Sequence, residues 1–123
     1  MNDIYLYTGS AIIFLWGIAH IIPTESVVAG FGALSDDNRR IITMEWVGEG
    51  LALCFLGVLV FFTAITAGPP DRLAVIVIRL AAAMSFTLGI WTFIIGFKTS
   101  VVPIKICPLI LTGVALLFYL GTI

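Results

Sequence analysis

The chain has 123 residues, 61% hydrophobic and 11% charged, with a net charge of −1 and a mean hydropathy of +1.19. That length suits one domain, and so apolar a composition excludes a soluble globular protein, whose surface needs roughly a quarter of its residues charged. The longest basic run is Arg39-Arg40, which leaves no electrostatic footprint for nucleic acid.

Four segments reach the roughly 20 apolar residues that a bilayer-spanning helix needs. They predict helices at 4–22, 38–67, 72–97 and 101–123, within a single integral membrane domain covering 1–123. The fold class is therefore all-α, an antiparallel bundle of four transmembrane helices. The second and third helices, and the third and fourth, are joined by connections short enough to make them hairpins.

The N-terminus, Met1-Asn2-Asp3, lacks the positive charge of a signal peptide, and no small-residue cleavage site follows the first apolar stretch. The first helix is expected to stay attached. Its residues Gly9, Ile13, Trp16, Gly17 and His20 recur at helical spacing and form a small-residue face with one large aromatic. Pro23 ends it. In the long connection 23–40, "SVVAGFGAL" is apolar but too short to span. Thr24 to Ser26 are placed to cap a short interfacial helix, and a plain loop is the alternative because Gly30 and Gly32 weaken helix there. Ser35, Asp36 and Asp37 are good caps for a second helix that begins before Ile41.

The second helix carries Glu45 and Glu49 one turn apart. From Leu51 to Gly68 it already runs about 27 Å at 1.5 Å per residue, nearly a full span. The carboxylates therefore sit at headgroup level, or Glu49 lies about 12 Å below Ile41, where an unpaired charge is costly. On a helical wheel the two are about 40° apart, on a face shared with Gly48, Ala52, Leu56 and Thr63. Small residues are what membrane helices place against one another, so this face is expected to point at the first helix.

A turn at Gly68-Pro69-Pro70-Asp71 leads to the third helix, where Arg79 follows Arg72 by seven residues, about 10 Å deeper. It snorkels toward the termini, or it faces inward as the counter-charge of a second-helix carboxylate. Lys98-Thr99-Ser100 and Pro103 open the fourth helix. The two cysteines, Cys54 and Cys107, form no C-x-x-C pair and read as small buried hydrophobes. Phe55, Phe61, Phe62, Trp91, Phe93, Phe97, Phe118 and Tyr119 show no cage spacing and suit lipid contact and core filling.

Because the first helix ends where the second begins, His20, Glu45 and Glu49 share one end of the bundle, with Glu25 just beyond. The candidate intramembrane cluster is His20, Glu25, Glu45, Glu49 and Arg79, and its metal-ligating candidates are His20, Glu45 and Glu49. An imidazole with carboxylates suits a metal or proton site. The structural alternative is a polar tie completed by Lys98, Lys105 or Arg39. No cofactor follows from these residues.

With "WGIAHIIP" ending the first helix and "MEWVGEGLALCFLGVLV" opening the second, the first half of the chain resembles the DoxX-like small four-helix membrane proteins. The likeness rests on Gly17, His20, Glu45 or Glu49, and Gly57. It implies a four-helix bundle and an accessory role beside membrane redox or assembly machinery.

Three functions fit these residues. The first is a non-enzymatic accessory or structural subunit of a larger membrane complex, its partners being lipid and other membrane subunits or a second copy. The others are an oligomeric small-ion or proton-coupled carrier or channel, and a membrane enzyme using the His/Glu cluster on a lipid-soluble substrate. The end where the first helix stops carries Arg39, Arg40, Lys98 and Lys105, against Arg72, Arg79 and the terminal amine at the other. That count favours termini on the non-cytoplasmic side, and the expected location is a cell (inner) membrane.

Overall fold

The computed structural model describes residues 1–68 and 71–123, so Pro69 and Pro70 of the expected turn lie outside the described residues. Five helices account for almost all of it: α1 (Asp3–Ile21), α2 (Thr24–Ala29), α3 (Asp36–Thr66), α4 (Arg72–Gly96) and α5 (Val102–Gly121). All except α2 are long and apolar enough to cross a membrane, and the protein is an integral, multi-pass membrane bundle.

Local chemistry sets the helix ends. Ser35 Oγ accepts from Asn38 N–H at 3.2 Å and starts α3, with Asp36 and Asp37 in its first turn. Asp71 does the same for α4, accepting from Ala74 N–H at 3.0 Å. Pro103 sits in the first turn of α5, where its missing N–H costs nothing. The short helix α2 is present, but Pro23 occupies its cap position and Thr24 does not cap it. The Thr24 hydroxyl instead donates to the carbonyl of Ile21 at 2.6 Å, closing the end of α1. Gly32 then turns the chain with φ +77, a backbone conformation open to glycine.

The spans form a four-sided bundle. α1 packs most extensively on α3, α4 on α5, and α1 with α5 joins the two pairs. The fourth side, between α3 and α4, is the thinnest; the hairpin expected there exists but carries the least packing. Asn2 N–H donates to the carbonyl of Gly121 at 2.8 Å, so both termini lie at one end.

The core runs along the axis through Leu6, Ile13, Leu53, Val60, Ile78, Leu111 and Phe118. Outward positions are equally apolar: Phe55, Trp91 and Leu109 are all exposed. Such a surface suits lipid, and in lipid helices associate through close packing rather than through a hydrophobic drive. One such close approach is a glycine crossing of α1 and α3. A Cβ on Gly17 would lie 2.6 Å from the carbonyl oxygen of Gly50, and one on Gly50 would lie 2.9 Å from that of Gly17. Two backbones meet there, flanked by the Cys54 sulfur on one side and Ile21 on the other, and this contact sets the rotation of α3 about its axis.

Candidate functional site

The glycine crossing positions His20. It lies one turn beyond Gly17 on the same face of α1, so the close approach of α3 presses it against that helix. His20 is buried, 7% exposed. Its ring stacks on Trp46 of α3, with centroids 4.9 Å apart and planes 23° from parallel, and it meets Trp16 edge-on at 5.7 Å. Trp46 also donates its indole N–H to the His20 carbonyl at 2.6 Å. That carbonyl belongs to the last turn of α1 and has no partner inside the helix, so the indole both caps α1 and walls the imidazole.

The ring nitrogens are thereby distinguished. His20 Nδ1 lies 3.2 Å from the carbonyl oxygen of Trp16, which only accepts, so Nδ1 carries the proton of the bond. In the neutral ring the lone pair then resides on Nε2. Nε2 faces Oε1 of Glu49 at 3.9 Å. Among the described residues this is the only acid-base pair within 4.0 Å, and no lysine or arginine neutralises Glu49.

A third group completes the site from a helix that the sequence reading left out. Cys107 of α5 is buried and brings its sulfur to His20 and Glu49; one ligand atom from each of the three lies within 4.8 Å of the others. The indole N–H of Trp16 donates to Cys107 Sγ at 3.4 Å, so the sulfur acts as acceptor. Pro108, the next residue, is buried within α5 and lacks the N–H that would bond back to Ile104.

The predicted site residues divide sharply. His20 and Glu49 come together as expected. Glu45 does not: it is exposed, as are Gly48 and Ala52 on its face. The inward stripe of α3 is Gly50, Leu53, Gly57, Val60 and Ala64. The one-turn relation between the glutamates is correct, but the Gly17–Gly50 contact rotates the helix so that only the deeper one reaches the interior. Glu25 is exposed in the first turn of α2 and forms no ion pair among the described residues. Arg79 is exposed, and its Nε donates to Thr122 Oγ1 at 3.1 Å, at the end of the bundle where the termini meet. The inner stripe of α4 is Ala74, Ile78, Ala81, Ala82, Ser85 and Gly89, and Arg79 falls beside it.

Cys107 and Trp46 were missed. Cysteine counts as apolar in any hydropathy pattern, and nothing in spacing relates the rotation of α5 to that of α1. Trp46 had a visible signal: it stands between the two glutamates and directly after Glu45, in register with Gly50 and Leu53. No protein-family model matches the chain, and neither a curated protein nor a solved structure shows significant similarity to it.

Proposed function

We propose that this protein is a non-enzymatic accessory subunit of a larger membrane assembly, and that its working part is a cation-accepting site formed by His20 and Glu49 with Cys107. The observation that carries the reading is the convergence of electron-pair donors, with no lysine or arginine paired to Glu49 among the described residues. His20 Nε2, a Glu49 carboxylate oxygen and the indole-bonded sulfur of Cys107 face one another across less than 5 Å, donor atoms of three kinds converging on a point that a proton or a metal ion can occupy.

The accessory role draws on three features. The segments between the spans are a few residues long apart from the one holding α2, too small for a catalytic domain between helices. Away from the site the interior is closed by Leu53, Ile13, Val60, Leu6 and Phe118, all fully buried, which disfavours a conduit through one copy. The likeness of Gly17, His20, Glu49 and Gly57 to the DoxX-like pattern points the same way, toward service beside redox or assembly machinery. The bundle is assigned to a cell (inner) membrane, and the charge count favours both termini on its non-cytoplasmic face.

Native-detergent extraction from the source membrane tests this. The wild-type protein should migrate with a complex much larger than its own 13.3 kDa, and Glu49→Gln should release it while leaving its helical content intact. Migration of the wild type as a free monomer or small homo-oligomer would overturn the accessory role.

A further inference from the structure

We propose that His20, Glu49 and Cys107 bind a borderline divalent metal ion of the zinc type, through Nε2, a carboxylate oxygen and a thiolate. This deepens the cation-accepting reading above and rests on it.

The donor set selects the ion. Imidazole nitrogen with thiolate sulfur favours zinc-like cations over magnesium or calcium, which take oxygen ligands, and one carboxylate is common in three-ligand sites that keep a fourth position open. Charge selects it too. A neutral imidazole, one carboxylate and one thiolate sum to −2, so a divalent ion leaves a neutral centre. In a buried apolar setting that neutrality removes the desolvation cost that either anion would carry alone. Binding displaces the thiol proton of Cys107, which leaves to solvent past Glu49; no electrons move.

The surroundings match what metal-binding residues require. Histidine ligands characteristically hold their second nitrogen to a carbonyl or carboxylate, which fixes ring and tautomer. His20 does so through the Trp16 carbonyl at 3.2 Å. The same tryptophan donates to the sulfur at 3.4 Å, so one residue orients two of the three donors. Stacking on Trp46 at 4.9 Å holds the imidazole plane.

Donor separations also fit with a modest closure. Metal–ligand lengths of 2.0–2.3 Å put tetrahedral donors roughly 3.3–3.7 Å apart. The three groups lie within 4.8 Å, with Nε2 to Oε1 at 3.9 Å, so about 1 Å of inward movement completes the site. Glu49 is placed to supply it: its side chain is 33% exposed against 9% for His20, and Cys107 is buried.

The test is titration of the purified, reduced protein in detergent with Co2+, followed by competition with Zn2+. Cobalt bound to a thiolate gives a near-ultraviolet charge-transfer band, and low-coordinate cobalt gives strong visible bands. One equivalent should produce both, and Zn2+ should bleach them. Cys107→Ser should abolish the charge-transfer band and weaken binding at least about 100-fold, while Trp16→Phe, which alters only the supporting shell, should weaken it about 10-fold. Circular dichroism of each variant separates ligand loss from misfolding, and Cys54→Ser, outside the site, should leave the spectrum unchanged. Absence of a thiolate band in folded wild type, or a band that survives Cys107→Ser and disappears with Cys54→Ser, would overturn the metal site. A failed titration alongside release of the larger complex by Glu49→Gln would mean that the site works with a proton. A positive titration with no such complex would leave the metal site standing and remove the accessory role.

Discussion

Where α1 stops, His20, Glu49 and Cys107 are folded inward between three helices; at the opposite end, Arg79 turns outward and lies along the C-terminal turn, its guanidinium 3.1 Å from Thr122 Oγ1 and 5.6 Å from the Tyr119 ring. Both ends place ionisable groups in a strongly apolar chain. The difference lies in reach and backbone spacing. Arginine has a long stem that carries its charge toward the helix ends unaided. Glutamate has a short one, and the Gly17–Gly50 crossing draws Glu49 into the bundle, where it needs a partner. The charged side chain that reaches the interior does so beside the place where two backbones touch.

The sharpest way to break that contrast is to block the crossing. Gly50→Leu inserts a side chain against the Gly17 carbonyl, Ile21 and the Cβ of His20, and should cost about 3 kcal/mol in detergent unfolding, with loss of the site. Gly48→Leu, where an added Cβ meets nothing within 4 Å, should stay within about 0.5 kcal/mol of wild type. Equal losses at the two positions would show that the crossing does not organise that end.

At the outer end the effects should be smaller. Arg79→Leu removes a part-buried hydrogen bond to Thr122 and a cation–π contact with Tyr119, and should lower stability by no more than about 1 kcal/mol. A loss matching Gly50→Leu would mean that the two ends depend on polar groups alike. Smallest of all is Ser10→Ala. Ser10 Oγ is buried between α1 and α3 without a hydrogen-bond partner among the described residues, so its removal should leave stability unchanged or raise it by up to about 1 kcal/mol. Destabilisation beyond that range in the same unfolding assay would reveal a partner for the hydroxyl.

The spans, the cap at Ser35 and the meeting of His20 with Glu49 were legible because each depends on simple pattern: apolar run length, a hydroxyl before two acids, and the antiparallel order that sets the end of α1 beside the start of α3. Glu45 shows where pattern stops. A wheel relates it correctly to Glu49, but which of the two points inward depends on the glycine contact with another helix. Cys107 was out of reach for a related reason. Its helix arrives at α1 after two other spans, and its rotation there is set by Phe118 filling the space above Gly9 and by the packing of α4. Arg79 fell outside because Ile78 takes the inner position beside it.

The length of α3 has a mechanical consequence. Its 31 residues measure about 46 Å, against a hydrocarbon layer of roughly 30 Å, and no break interrupts it from Asp36 to Thr66. Gly50 divides this rod almost in half, with arms of about 21 Å and 24 Å. Gly57 repeats the contact two turns on, where an added Cβ would lie 2.8 Å from the Ser10 carbonyl oxygen, so the rod is clamped against α1 at two points. The far arm is held, and the arm from Asp36 to Glu49 stands as a cantilever whose charged tip around Arg39 and Arg40 takes the bending, while Glu49, beside the clamp, hardly moves.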